Sequence, residues 1–175
     1  ATRLADAVTH AMLTTLAIAN YRSIRGLVLP LGRLNVVTGA NGVGKSNLYK
    51  ALRLLADTAQ GGVIATLARE GGLESTLWAG PENLTRRMKR GEVPVQGGPR
   101  QERVNLRLGF CDDELGYAID FGVPSPSNSM FAHDPEIKRE CIFTAPAYRP
   151  SGLLVDRRNQ FVKVKDLAND ADRAN

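Results

Sequence analysis

Residues 39–46 read GANGVGKS and follow the pattern Gly-x4-Gly-Lys-Ser of the phosphate-binding loop known as Walker A. The glycines allow positive φ angles, so successive backbone N–H groups can turn toward one anion. Lys45 supplies a charge for the outer phosphates, and the hydroxyl of Ser46 suits the Mg²⁺ that accompanies them. The motif therefore predicts a site for the phosphates of a nucleotide.

The segments on either side of the loop favour the same interpretation. Leu34–Thr38 is a short apolar run that ends at a glycine, which is typical of a buried strand. After the loop, apolar residues recur at spacings of three and four, which predicts a helix of about three turns with one apolar face. The helix would add unpaired N–H groups and the positive end of its dipole to the phosphate site. The recurring residues are Leu48, Ala51, Leu52 and Leu55.

Alternating apolar residues predict antiparallel strands in much of the remaining chain. A first pair is expected from residues 13–18 and 27–31, and Pro30 indicates that its second strand lies at a sheet edge. Hairpins are expected over 104–121 and 153–164, with a further strand over 137–143. The acidic run Asp112–Glu114 falls in the turn of the first of these hairpins.

A second helix and a long loop complete the pattern. The helix is expected over Val63–Glu70, with Ile64, Leu67 and Ala68 turned inward, and it ends at two glycines. Residues 78–103 are rich in glycine, proline and charge, which predicts an exposed loop.

Composition narrows the class of protein. The chain has 175 residues, of which 43% are hydrophobic, and this suits one globular domain. It contains no apolar run of about 18 residues and no recognisable secretory signal, so we expect a cytoplasmic protein without a membrane span. Cys111 and Cys141 are expected to be ordinary buried or half-buried thiols, because their spacing fits neither a disulfide scaffold nor a zinc site. The net charge of +5 permits an anionic partner but does not identify one.

Three stretches resemble the N-terminal part of ABC-type ATPases of the RecF and structural-maintenance-of-chromosomes (SMC) group. They are NYRSI at 20–24, LGRLNVV at 31–37 and GANGVGKSNL at 39–48. The AAA-family ATPases that share this head look most similar, and Asn47 with the Asn41-Gly42 pair distinguishes the loop from that of most kinases and GTPases. The resemblance is strongest over residues 13–56.

The resemblance implies an α/β P-loop NTPase fold in which a mixed sheet carries the loop and antiparallel strands form a side lobe. Residues 1–12 would be an N-terminal arm and residues 13–175 the N-terminal part of an ATPase head. It also implies Mg²⁺ and ATP as ligands, a homodimer of heads when nucleotide is bound, and possible DNA contact through the full-length protein. The implied nucleotide-binding residues are Gly39, Ala40, Asn41, Gly42, Val43, Gly44, Lys45, Ser46 and Asn47 in the loop and Arg22 before it, with Ser46 also the metal ligand.

The catalytic half of such a head is not recognisable in the sequence. Neither a signature segment nor an apolar strand ending in Asp-Glu is found. Asp156 follows an apolar run but precedes Arg157 in place of a glutamate, and we do not assign it to the metal. No catalytic residue is therefore assigned, and this chain alone is expected to bind nucleotide and to hydrolyse it poorly.

Two other interpretations stay open at this stage. A self-contained P-loop kinase or GTPase would need a basic lid or a guanine-recognition motif, and neither is visible. A nucleic-acid-binding module would use the basic cluster, but no aromatic residue is interleaved there for base stacking, so a solvated loop is the simpler interpretation. The basic cluster consists of Arg86, Arg87, Lys89 and Arg90.

Overall fold

A seven-stranded antiparallel sheet forms the body of the described fold. The computed structural model describes residues 12–97, 103–124 and 134–166, so the expected arm lies outside them except for Met12. The strands follow one another across the sheet in the order β2-β1-β3-β4-β5-β6-β7. They are β1 (Thr15–Tyr21), β2 (Ile24–Pro30), β3 (Leu106–Cys111), β4 (Leu115–Gly122), β5 (Glu136–Thr144), β6 (Leu153–Arg158) and β7 (Phe161–Val164).

These strands confirm the prediction made from the alternating apolar residues. The first pair, the two later hairpins and the intervening strand all form where they are predicted, and Pro30 ends the edge strand β2. In the turn between β3 and β4, one of the acidic residues has a structural role. Asp112 accepts hydrogen bonds at one carboxylate oxygen from the backbone N–H groups of Glu114 and Leu115, at 2.8 and 2.6 Å. Such a side-chain turn is a common role for aspartate between strands.

Four helices are described, and they are mostly short. They are α1 (Lys45–Ala59), α2 (Val63–Arg69), α3 (Leu73–Thr76) and α4 (Arg86–Lys89), with a 3-10 turn over Pro150–Gly152. The helix predicted after the loop is confirmed and runs for about four turns. None of the described helices has the length and apolar character that crossing a membrane requires.

One face of the sheet packs against α1 and α2 to make the main core. Each leucine buried there contributes about 1.5–3 kcal/mol through removal of apolar surface from water. Since α1 packs on β1 and β3, its first turn is brought beside the turn that joins β1 to β2. The buried residues include Leu16, Ile18, Tyr21, Leu106, Leu108, Ile119 and Phe121 from the strands and Ala51, Leu54, Leu55, Val63 and Leu67 from the helices.

The prediction that a mixed sheet carries the loop is wrong for the described residues, because every strand pair among them is antiparallel. Leu34–Thr38 is not a strand, and Leu34 and Val36 are 84% and 77% exposed. A buried parallel strand needs neighbours that pair with its backbone and cover both faces. The described residues place no strand beside this segment, so it remains an irregular connection from β2 to the loop.

The inward face of α2 also differs from the prediction. Leu67 is buried as expected, but Ile64 is 55% exposed and Ala68 is exposed, whereas Val63 is buried. Val63 and Leu67 are four residues apart and share one face, and they are the buried residues of this seven-residue helix. The loop expected over 78–103 is mainly irregular where it is described, with α4 inside it.

Candidate nucleotide-binding loop

The backbone of residues 39–46 makes a turn that runs directly into α1. Residues 39–43 are exposed, and α1 begins at Lys45. Gly42 and Gly44 have φ angles of 86° and 101°, a region that side chains disfavour. Gly44 is the N-cap of the helix, and a Cβ atom on it would lie 2.5 Å from the Oγ of Ser23. The φ angle therefore favours glycine at position 44, and a Cβ atom there would also require the Ser23 side chain to shift.

The first turn of α1 is open toward an anion. Gly44 has no side chain to cap the helix, and the first turn contains no acidic residue. The carbonyl of Gly44 accepts the N–H groups of Asn47 and Leu48, at 2.9 and 3.3 Å. The N–H groups of Lys45 and Ser46 precede these and have no carbonyl partner within the helix. They combine with the positive end of the helix dipole, which favours an anion at this place.

The side chain of Lys45 folds back and bonds to the start of the loop. Its ammonium donates to the carbonyl oxygens of Gly39 and Ala40, both at 2.7 Å. These bonds join the end of the loop to its beginning and keep the positive charge at the loop. Ser46, the next residue, is exposed. The three groups named in the sequence pattern, backbone amides, ammonium and hydroxyl, thus occur together at one exposed turn.

The turn between β1 and β2 lies against this loop. Ser23 in that turn accepts a hydrogen bond at Oγ from the side-chain amide of Asn47, at 2.8 Å. The stretch NYRSI therefore contacts the loop in space as well as preceding it in sequence. Ser23 itself was not among the predicted site residues, and only its place in that stretch could have indicated it.

Arg22 in the same turn is directed to a different partner. One of its terminal nitrogens donates to Glu70 at 2.8 Å, and the hydroxyl of Tyr21 donates to the same carboxylate oxygen at 2.9 Å. Tyr21 is fully buried, so it is a core residue. The Nε of Arg22 is buried without a hydrogen-bond partner in the described structure. Glu70 follows α2 and carries no sequence signal of this role, because it lies 48 residues from Arg22.

The three side chains shift one another's ionisation. Burial is the largest cause that raises the pKa of Tyr21 to about 12. Burial also opposes the ionisation of Glu70, but the hydrogen bonds from Arg22 and Tyr21 outweigh it and keep the pKa of Glu70 below its ordinary value. The bond to Glu70 raises the pKa of Arg22. Arg22 and Glu70 thus form an ion pair, and the neutral Tyr21 is hydrogen-bonded to the same carboxylate. These contacts stabilise the turn that contacts the loop.

Asp156, the aspartate that follows the apolar run, bonds to two arginines. It lies on β6 and accepts from Arg139 at 2.7 Å and from Arg158 at 3.2 Å. The hydrogen bond from Arg139 is the main cause that lowers the pKa of Asp156. Within the described ranges, no group of three or more His, Cys, Asp or Glu side chains is placed to hold a metal ion.

Three residues of the basic cluster lie in α4, and the fourth, Arg90, is the C-cap of this helix. Thr85 caps this helix, since its hydroxyl accepts the N–H of Met88 at 3.2 Å. Arg87 and Arg90 each pair with Glu92, at 3.4 and 2.9 Å. Exposed pairs of this kind contribute little to stability, about 0–1 kcal/mol, but they offset part of the cluster's charge. The nucleic-acid interpretation therefore gains no support from the structure of this helix.

Comparison with known proteins connects the loop to one family. No curated protein matches the chain. The family model described as "AAA domain, putative AbiEii toxin, Type IV TA system" matches residues 34–167. That range contains the glycine-rich loop, all four helices and the strands from β3 onward. An AAA domain is a nucleotide-binding, ATPase-like domain. Because the match covers more than half of the chain, the protein belongs to this AAA-domain family.

Proposed function

We propose that the loop over residues 39–46 binds the triphosphate of ATP with Mg²⁺, and that this chain is the nucleotide-binding part of an ABC-type ATPase head of the RecF and SMC-like group. One observation carries the proposal: a glycine turn leads into an uncapped helix, and the lysine of that helix folds back over the turn. The membership in an AAA-domain family supports it.

The donors that remain at the loop suit a phosphate chain. An ammonium group has three N–H donors, and Lys45 uses two of them on the carbonyls of Gly39 and Ala40. One donor is left for a phosphate oxygen. The backbone N–H groups of Lys45 and Ser46 add two more donors at the start of α1. The hydroxyl of Ser46, an exposed residue, would contribute an oxygen to Mg²⁺, which prefers oxygen ligands.

Arg22 is proposed as a further cation near the nucleotide. Its neighbour Ser23 contacts the first turn of α1, so the backbone of Arg22 is already beside the loop. Its guanidinium binds Glu70 through one terminal nitrogen. An arginine can donate through five N–H groups, so a bond to Glu70 leaves capacity for an anion.

Hydrolysis is proposed to depend on groups outside the described residues. In ATPases of this kind, a pair of carboxylates holds the metal indirectly, through the groups around the metal. The same pair orients the water that attacks the phosphate. The best-placed candidate in the sequence, Asp156, is occupied by two arginines. We therefore propose that nucleotide binding brings two heads together, with hydrolysis completed by a Walker B strand and a signature segment, and that any DNA contact involves the full-length protein.

The decisive experiment is calorimetric titration of the chain with Mg-ATP. We expect binding, and we expect Lys45→Ala to weaken it at least ten-fold, because a hydrogen bond from a charged donor is lost. Arg53→Ala is the control, since it removes a positive charge from an exposed residue further along the same helix, and it should bind like the wild type. Unchanged affinity in Lys45→Ala, or no binding by the wild type, would contradict the proposal. Preference for GTP over ATP would favour a GTPase instead.

A further inference from the structure

We propose that Ser23, in the turn between β1 and β2, is a positioning residue of the nucleotide loop, and that it acts through Asn47 and Gly44. This inference rests on the proposed function, because it concerns how the same loop keeps its binding geometry. It also assigns the side chain of Asn47 to the support of the loop, through one of its two amide N–H groups.

The hydrogen bond between Ser23 and Asn47 ties the sheet to the first turn of α1. The side-chain amide of Asn47 donates to the Oγ of Ser23 at 2.8 Å. The backbone N–H of Asn47 donates to the carbonyl of Gly44 at 2.9 Å. One N–H of the side-chain amide and the backbone N–H are therefore both committed to structure. The third residue of the helix thus bonds to the hairpin on one side and to the loop on the other.

The contact between Ser23 and Gly44 adds a steric constraint. A Cβ atom on Gly44 would lie 2.5 Å from the Oγ of Ser23 and 3.7 Å from its Cβ. The serine hydroxyl therefore lies against the backbone of the N-cap residue. A movement of this hydroxyl changes the room available to Gly44, whose φ angle of 101° sets the direction in which the loop enters α1. Ser23 thereby influences the orientation of the N–H groups that would face the phosphates.

The turn that carries Ser23 is held firmly from its other side. The backbone N–H of Arg22 donates to the carbonyl of Thr76 at 2.7 Å, and Thr76 is fully buried. The side chains of Arg22 and Tyr21 both bond to Glu70. A functional group is positioned well only when the groups supporting it are themselves fixed by packing and hydrogen bonds. The turn meets this requirement, so Ser23 keeps a fixed position against the loop.

The expected size of the effect follows from what is removed. Loss of one neutral hydrogen bond in the support of the site should weaken binding about three- to ten-fold. The loss should be smaller than that in Lys45→Ala, because no charged contact to the phosphates disappears. If Ser23 and Asn47 act as a pair, the effects of their substitutions on Mg-ATP affinity should not add, because removing either partner abolishes the same hydrogen bond.

The test measures Mg-ATP affinity by calorimetry and Tm by thermal unfolding in Ser23→Ala, Asn47→Ala and the double variant. We expect each single variant to bind about three- to ten-fold more weakly and the double variant to bind like the weaker single one. Ser23→Thr keeps the hydroxyl, and because Ser23 is exposed, the added methyl group has access to solvent. It should restore the affinity to within about two-fold of the wild type.

Thr66→Ala is the control for general loss of stability. It removes another side-chain hydrogen bond, from the Thr66 hydroxyl to the carboxylate of Asp57 at 2.7 Å, between α2 and α1 but outside the loop. It should lower Tm and leave the affinity unchanged. Wild-type affinity in Ser23→Ala, additive losses in the double variant, or equal weakening by Thr66→Ala would each overturn the inference. If the wild type binds no Mg-ATP, the proposed function itself fails, which is a distinct result.

Discussion

The guanidinium of Arg22 lies 2.8 Å from the carboxylate of Glu70, and this ion pair joins the turn after β1 to the residue that follows α2. Tyr21 adds a hydrogen bond to the same oxygen, so one carboxylate organises two successive residues. The pair is largely shielded, with 26% of the Arg22 side chain and 19% of the Glu70 side chain exposed. It therefore stabilises the turn on which Ser23 contacts the loop.

Glu70→Gln should destabilise the fold in a manner that depends on pH. The substitution keeps an acceptor oxygen but removes the charge, and we expect a loss of about 1 kcal/mol in the free energy of unfolding near pH 7. The folded-state pKa of Glu70 lies below its ordinary value of 4.5, so the contribution of its charge is complete above that value. It should disappear as the pH falls through the lowered pKa. Denaturant unfolding of both proteins between pH 7 and pH 3 measures this.

A difference between the two proteins that persisted undiminished at pH 3 would contradict this prediction, since Glu70 would then act through its shape and not through its charge. A variant that was more stable than the wild type near pH 7 would contradict it as well.

Gly44→Ala should damage both stability and binding. Alanine at φ 101° is strained, and its Cβ would meet the Oγ of Ser23 at 2.5 Å. Gly61→Ala is the matched control, because Gly61 has φ 72° and open space where its Cβ would lie. We expect a cost of about 1–2 kcal/mol for Gly61→Ala from the left-handed conformation alone and a larger cost for Gly44→Ala. Only Gly44→Ala should weaken Mg-ATP binding in calorimetry. Equal costs for the two variants would show that the contact with Ser23 is easily relieved.

Asp156→Asn should leave Mg-ATP affinity unchanged while lowering stability. The aspartate bonds to Arg139 through both carboxylate oxygens, at 2.7 and 3.2 Å, and the loss of this charged contact should cost about 1–3 kcal/mol. Calorimetry with Mg-ATP and denaturant unfolding test the two parts separately. A loss of Mg²⁺-dependent binding would restore Asp156 as a metal ligand.

The two cysteines should react slowly with thiol reagents in the native protein. Cys111 and Cys141 are free and 6% and 4% exposed, and burial is the main cause that raises the pKa of both thiols. A raised pKa lowers the thiolate fraction, and the thiolate is the reactive form. Reaction with a colorimetric disulfide reagent at pH 8 should be slow in buffer and fast in denaturant. Fast labelling of either thiol in the native state would indicate that this part of the sheet opens readily.

Most secondary structure was predictable because its causes are local. The alternation of apolar residues in β1 and β3, the glycines after α1 and the Asp112 turn depend on neighbours within a few positions along the chain. The start of α1 at Lys45 was implied by the same short pattern that predicts the phosphate site. Local geometry and the candidate site therefore came from one stretch of sequence.

Other features needed contacts between distant residues. The apolar composition of Leu34–Thr38 suggested a strand, but a strand forms only where another strand pairs with it, and the described residues place none there. Ile64 has the right residue type for a core position, but the face of α2 that packs is the one bearing Val63 and Leu67. In both cases hydrophobicity indicated a capacity for burial, and the neighbours decided whether burial occurred.

By itself, the sequence determined the chemistry at the loop: glycines that permit the turn, an ammonium, a hydroxyl and the helix behind them. These depend on residue type and on spacing along eight consecutive positions, 39–46. Only the tertiary structure decided what supports that chemistry, since Ser23 meets Asn47 across 24 positions and Arg22 meets Glu70 across 48. The physical reason is that hydrogen bonds and ion pairs act over a few ångströms in space, and the packing of α1 and α2 on the sheet sets which residues come that close.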